Sequence, residues 1–323
     1  MNQISNHPLY RKYDLDSAMR SLWSFYKSRF IALFIISLAM SLITQYISTR
    51  INISQFQNIT DPEEILALVR SMSLPLIGLA AISLWFSTIY HYYVLFKPLD
   101  DSCNIFVCIW KSLRFIFPYF IIIILFAFAG SFVLVAGLLA LIIGVFFAAL
   151  YLGMISLFIL PVMITEGTDI GRVIVRTIKL SHRNFWSNLG WSAVFFLLYI
   201  VIALFLSGLI MAIFSGNFLT ILSHPEESNN LSDIFNTPLY IILSAAVNAL
   251  LLPLIPIFGF ILYFNGRAME ESFDRTPDNE ELDNKLKIED LYALPREEEK
   301  KSDANNSPAE YSAYAAIHEP SGC

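Results

Sequence analysis

Acidic and basic side chains are missing from six long stretches of this 323-residue chain, and only three cysteines occur in it. The uncharged runs are Phe30 to Ile47, Leu74 to Leu95, Phe115 to Ala136, Leu141 to Ile164, Leu189 to Phe214 and Leu239 to Phe264. A helix rises 1.5 Å per residue, so about 20 such residues cross a hydrocarbon layer of about 30 Å. With 56% hydrophobic residues, the chain holds more apolar surface than a water-soluble domain can hide. The expected fold class is all-α, a polytopic membrane helix bundle with six transmembrane helices. Few cysteines exclude an exported disulfide framework. Cys103 and Cys108 share one gap and Cys323 is the last residue, and all three are expected to be reduced, acting as small apolar filler.

Other absences narrow the function. No G-x-S-x-G elbow, P-loop or H-E-x-x-H is present, so the motifs that carry hydrolytic or nucleotide chemistry are missing. His7, His91, His182, His224 and His318 are scattered, with no pair at metal-ligand spacing. The expectation is no enzyme, no cofactor, no metal and no nucleic-acid partner. An ion-coupled carrier ordinarily places an ionisable group inside its bundle, and none of the six runs contains Asp, Glu, Lys or Arg.

Positive charge is distributed unevenly. Nineteen of the 21 basic residues lie in alternate gaps: Arg11, Lys12, Arg20, Lys27 and Arg29 before the first run; Lys97, Lys111 and Arg114 after the second; Arg172, Arg176, Lys179 and Arg183 after the fourth; and Arg267, Arg275, Lys285, Lys287, Arg296, Lys300 and Lys301 at the end. The intervening gaps hold only Arg50 and Arg70. Cytoplasmic loops carry the excess of Lys and Arg, so both termini are expected to be cytoplasmic, in the inner membrane of a bacterium. The first run follows 29 residues and has no small-residue cleavage site, which points to a retained anchor. Phe115 to Ile164 contains no charge at all. One helix of that length would be about 75 Å long, so two spans turning near Gly137 are expected, with a re-entrant segment as the alternative.

Three similar units are legible, each an amphipathic segment followed by a two-span hairpin. In the first, Leu15, Met19, Leu22, Trp23, Tyr26 and Phe30 recur at helical spacing, opposite Arg20, Ser24 and Lys27. The second has Ile105, Phe106, Ile109, Trp110 and Leu113, and the third runs from Asp169 through Phe185 and Trp186. Such periodicity predicts helices in the headgroup plane with their Trp rings at the interface. His91, set among Tyr90, Tyr92 and Tyr93, is expected in the same aromatic belt.

The third segment carries the principal candidate site. Arg172, Arg176, Lys179 and Arg183 are spaced by four, three and four residues, which puts them in one stripe of a helix, with Ile170, Ile174 and Ile178 behind. Such a row can bind phosphate oxygens of anionic lipid headgroups, at about 1 kcal/mol per basic residue. As plain positive-inside anchors the same side chains would snorkel to lipid. A second candidate is in the last span, where Asn248 precedes Pro253 and Pro256. An intramembrane amide needs a partner and the prolines release carbonyls, which either kink the helix or line a pathway.

Residues 160–191 read LPVMITEGTDIGRVIVRTIKLSHRNFWSNLGW. The sequence has a Pro161 ending a span, acidic Glu166, then Arg176 with Thr177, Leu180, Trp186, and Gly190 opening the next span. This pattern resembles uncharacterised bacterial multi-pass families and the membrane domain attached to some glycerophosphodiester phosphodiesterases. The resemblance covers roughly residues 10–265 and implies a lipid-associated membrane module. It implies no catalysis, because that family's chemistry belongs to a separate soluble barrel, for which no segment is left here.

Three regions follow: residues 1–29 with an amphipathic helix, 30–264 as the membrane domain, and 265–323 as a tail. The tail has 15 acidic and seven basic residues, too few apolar groups to offset ordering entropy. Within it Leu286, Ile288, Leu291 and Leu294 form a short candidate docking surface for a soluble partner. The sequons at Asn52, Asn58 and Asn230 fall in the outer gaps and matter only in a glycosylating pathway. The expected function is a non-catalytic module that organises membrane lipids or a soluble cytoplasmic protein partner. The alternative is a transporter for a small or amphipathic solute.

Overall fold

The computed structural model describes residues 4–48, 62–100, 103–214 and 237–274. The three sequons, Cys323 and the tail's docking segment lie outside the described residues. Among those described, the regular elements are helices: α1 Leu15–Ser28, α2 Phe30–Ser48, α3 Pro62–Phe96, α4 Ile105–Leu139, α5 Leu141–Glu166, α6 Ile170–Arg183, α7 Phe185–Ile213, α8 Pro238–Leu251 and α9 Leu254–Asp274, with a 3-10 turn at Ile4–Asn6. Six of them, counting α8 and α9 as one, are long and apolar enough to cross a membrane. The protein is thus an all-α, multi-pass membrane bundle.

Local chemistry sets the breaks. Asp14 caps α1 reciprocally with Ser17: its side chain accepts from the Ser17 N–H at 3.2 Å, and the Ser17 hydroxyl accepts from the Asp14 N–H at 3.0 Å. Arg29 leaves helical geometry and separates α1 from α2. Ala140 alone separates α4 from α5. The tight turn is possible because Gly137 and Gly144 face each other: a Cβ on Gly137 would lie 2.7 Å from the Gly144 carbonyl oxygen. Gly167, at φ +119°, ends α5 in a region that favours glycine, and Asp169 then caps α6 by accepting from the Arg172 N–H at 2.9 Å.

The centre of the bundle is α5 against α9. Phe158, Val162 and Met163 on α5, and Ile257, Phe258, Phe260, Ile261 and Leu262 on α9, are fully buried. An all-round apolar helix suits this position. Gly259 lets the backbones approach, since a Cβ there would stand 2.7 Å from the Leu157 carbonyl oxygen. Phe195 of α7 stacks on Phe258 with centroids 4.2 Å apart. Around this centre α4 and α7 expose Phe117, Phe128, Phe132, Leu204 and Phe205, surfaces that only a hydrocarbon solvent accommodates.

Carbonyls left free by a proline or at a helix break are taken up by side chains of the N-terminal region. Pro98 has no N–H for the Val94 carbonyl four residues earlier. His7 Nε2 donates to that oxygen at 3.1 Å, and its Nδ1 accepts from the Leu9 N–H at 3.1 Å. In the last span, α8 ends at Leu251 and α9 begins after Pro253, and the Tyr26 hydroxyl donates to the Leu250 carbonyl at 2.9 Å. The buried Asn265 Oδ1 accepts from the Tyr13 N–H at 2.9 Å. These bonds gather residues 7–26, the end of α3 and α9 at one end of the bundle. At the other, Gln45 Nε2 of α2 donates to the Ser244 hydroxyl of α8 at 3.0 Å.

Several elements differ from the sequence expectation. Residues 62–73, ahead of the expected span at Leu74 to Leu95, form the start of α3, because no helix-breaking residue separates them from the span; Pro75 lies inside the helix. The second amphipathic segment is likewise continuous with its span, as α4, while the first and third remain separate helices. The helix α1 buries Leu22, Phe25 and Tyr26 against protein, with Trp23 turned outward. His91, Tyr90, Tyr92 and Tyr93 are buried inside the bundle and form no outward aromatic belt. His91 Nδ1 donates to the Ser87 carbonyl at 2.8 Å. The last helix continues ten residues beyond the expected boundary at Phe264, to Asp274.

Candidate functional site

The helix α6 has three surfaces. Arg172, Arg176, Lys179 and Arg183 form the stripe expected from their spacing. Val173, Thr177, Leu180 and Ser181 are buried against the bundle. The remaining side exposes Val175 and Ile178, followed by Trp186 at the start of α7. Ile170, Ile174 and Ile178, expected on the reverse side, therefore divide: Ile170 packs against the core, while Ile178 stays exposed.

Within the stripe the four cations differ in surroundings. Arg176, with its side chain 15% exposed, lies between two carboxylates. Its Nε donates to Glu166 at 2.9 and 3.1 Å, its Nη1 donates to Glu270 Oε1 at 2.9 Å, and its Nη2 donates to Glu270 Oε2. The planar fork of arginine is suited to paired contacts of this kind. The bonds from Glu270, and then Glu166, hold the Arg176 guanidinium even further above its ordinary range, against the opposing effect of burial. Arg183 Nη1 is 3.3 Å from Glu270, and Lys179 Nζ is 3.6 Å from it. Arg267 of α9 adds contacts at 3.6 Å to Glu166, 3.9 Å to Glu270 and 3.8 Å to Glu271. The Tyr263 hydroxyl donates to Glu166 at 3.0 Å.

This cluster ties the end of α5, the length of α6 and the end of α9 together. Among the described residues four cations, Arg176, Lys179, Arg183 and Arg267, face three carboxylates, Glu166, Glu270 and Glu271, so positive charge is in excess there. The exposed Arg172 adds to it, and Lys179, 64% exposed, directs its charge outward. Arg176 and Arg183 are chiefly structural cations, and Arg172 and Lys179 are the members accessible to an anion.

The spacing of the stripe by itself does not join Glu166, Tyr263, Arg267, Glu270 and Glu271 to it. A signal for the last three exists: Arg267 with Glu270 and Glu271 is spaced for one helix face, which extends the final helix past its apolar part. Glu166 and Arg176 are also two positions of the motif quoted above.

Next to α6, a cavity of about 470 Å³ lies between α4, α5 and α6, lined by apolar side chains and Thr177. Tyr151 on its wall is 3.1 Å from His182 Nε2 and donates to it, because His182 Nδ1 donates to the Ile178 carbonyl at 2.9 Å. In the other candidate region Asn248 is half-buried in α8, while Pro253 and Pro256 are buried beside the break. The structure does not bring these three to α6. No family model, curated protein or solved structure matches the chain.

Proposed function

We propose that this protein is a non-catalytic integral membrane module of the bacterial inner membrane that holds anionic phospholipid headgroups on the cytoplasmic face of α6. The observation that carries the reading is the split within the basic stripe. Carboxylates fix Arg176 and Arg183, and this fixed platform presents Arg172 and Lys179 to the surroundings. Flanking Val175, Ile178 and Trp186 supply the apolar contact that an interfacial helix needs. An electropositive, partly dehydrated helix flank at headgroup depth attracts phosphate oxygens. The resemblance of residues 160–191 to a membrane domain that accompanies phosphodiester chemistry points to the same class. In this reading the acidic tail, repelled by an anionic leaflet, remains available to a soluble protein partner.

The test uses the full chain in nanodiscs containing phosphatidylcholine and phosphatidylglycerol, with native mass spectrometry of retained lipid. Wild type is expected to enrich phosphatidylglycerol, and Arg172→Gln/Lys179→Gln to lose that enrichment with a thermal midpoint lowered by no more than about 2 °C. Equal retention by both proteins would refute the proposal. The carrier reading rests on Asn248 and the broken last span. At that break the Leu250 carbonyl is already engaged by Tyr26, which supports a kink. Asn248→Leu should accordingly leave lipid retention and growth unchanged, and a solute retained by wild type but lost in Asn248→Leu would favour the carrier.

A further inference from the structure

A second cationic site is built at the N-terminal helix, from residues the α6 reading does not use. A cavity of about 360 Å³ lies between residues 8–11 and α1, lined by Pro8, Leu9, Arg11, Arg20, Ser21, Ser24, Phe25, Ser28 and Arg29. On a 100° wheel Arg20, Ser21, Ser24 and Ser28 fall within one quadrant or so of α1, giving a ridge of hydroxyls with a guanidinium at its start. Arg29 closes the other end of the ridge, and Arg11 reaches across from the preceding segment.

Two of the three guanidiniums are fixed in place. Arg11 donates to the Ser21 hydroxyl and packs over the Tyr13 ring, 4.9 Å from its centroid. Arg29 packs over the Phe25 ring at 5.2 Å. Arg20 is exposed and pairs with Asp16 at 2.8 Å; a pair that open to water is weak and readily exchanged. Among the described residues lining the cavity there is no carboxylate. The Ser21 and Ser28 hydroxyls already donate to the Ser17 and Phe25 carbonyls, so the guanidiniums dominate the pocket: three positive charges, one shared with Asp16 outside the lining, around a cavity with no lining carboxylate favour a compact, multiply charged oxyanion. The site is also at the bundle end that bears the basic segments, immediately before the first membrane span.

We propose that this pocket binds a phosphomonoester, a group carrying close to two negative charges at neutral pH with three oxygens to share among three guanidiniums. A phosphodiester has one charge and two such oxygens, so it fits less well. The same nearly doubly charged phosphate group can be presented as the phosphomonoester of a lipid headgroup or arrive as free inorganic phosphate. The site stands on residues other than those of α6, so either proposal can fail alone.

The experiment takes the full chain carrying Arg172→Gln/Lys179→Gln, which removes the α6 headgroup site, as the reference protein in phosphatidylcholine nanodiscs and measures binding of two probes: phosphatidic acid doped into the disc, followed by native mass spectrometry, and inorganic phosphate, followed by calorimetry. Phosphatidylglycerol serves as the phosphodiester comparison. The reference protein is expected to retain phosphatidic acid in preference to phosphatidylglycerol, to bind inorganic phosphate, or to do both. Retention of the lipid without phosphate binding identifies the headgroup as the source, and the converse identifies the free ion. Arg11→Gln/Arg29→Gln should weaken the observed binding by about tenfold or more. Because Arg11 also holds Ser21, a second variant is needed: Ser24→Asp places a negative charge at an exposed position in the pocket and should abolish binding with an unchanged thermal midpoint. The proposal is overturned if neither probe binds the reference protein, if that protein retains phosphatidylglycerol as well as phosphatidic acid, or if Ser24→Asp added to it leaves binding unchanged.

Discussion

Replacing Arg176 by Gln tests whether the α6 cluster is a structural lock. The substitution removes the cation that Glu166 and Glu270 share, although each carboxylate keeps other neighbours. Glu166 retains the Tyr263 hydroxyl at 3.0 Å and Arg267 at 3.6 Å, and Glu270 retains Arg183 at 3.3 Å and Lys179 at 3.6 Å. Removing one partner of a buried ion pair costs about 3–5 kcal/mol. With these remaining contacts the lower end, about 3 kcal/mol, is expected. For a chain of this size that corresponds to a fall of about 4 °C in thermal midpoint. Lys179→Gln removes a charge from the same Glu270, but from a side chain 64% exposed, so it should cost under about 1 kcal/mol. The assay is thermal unfolding in detergent followed by intrinsic fluorescence. A Glu166→Gln/Arg176→Gln double variant should lose less than the sum of the single losses, by about 1–3 kcal/mol. Equal shifts for Arg176→Gln and Lys179→Gln, or additive losses in the double variant, would refute the lock.

Three further outcomes are expected. Gly144→Leu, whose Cβ meets the Gly137 carbonyl and Ala140, should destabilise the α4–α5 hairpin by about 1–3 kcal/mol; Gly208→Leu, with nothing within 4 Å of the new Cβ, should not lower the thermal midpoint. Tyr26→Phe leaves the Leu250 carbonyl without its hydroxyl donor and should cost about 1–2 kcal/mol, read as the same midpoint shift. His7 is neutral in the fold, and burial, with a smaller contribution from Arg29 against the Val94 bond, lowers its pKa to about 4. Above about pH 6.5 both folded and unfolded chains hold it neutral and it costs nothing. Between about pH 6.5 and 4 only the unfolded chain gains the proton, so stability falls by up to about 3 kcal/mol and then levels off. Wild type should therefore lose more stability than His7→Gln over that window; parallel pH profiles would contradict the assignment.

The spans were legible because a long uncharged run has few alternatives, and the hairpin at Gly137 followed from length alone. The stripe on α6 was legible because its spacing is local. The allotment of its charges was not, since Glu270 reaches Arg176 across 94 positions of sequence and comes from a helix whose charged end resembles the start of a tail. Composition changes at Asn265, but the helix does not, because Asn265 is bonded to Tyr13 and Arg267 pairs with Glu271 one turn on. The aromatic group around His91 was misplaced for a related reason: a ring-rich segment near a span's end looks the same whether its neighbours are lipid or protein. His7 carried no sequence signal either, since its role depends on Pro98 depriving Val94 of a donor 87 positions away.

The most direct measurement concerns the side of the membrane on which α6 lies. In a chain with Cys103, Cys108 and Cys323 replaced by Ala, Lys179→Cys would be exposed to a membrane-impermeant maleimide in intact cells and in inverted vesicles. The account predicts labelling in the vesicles alone. Labelling of residue 179 in intact cells would place the basic helix outside and contradict the account.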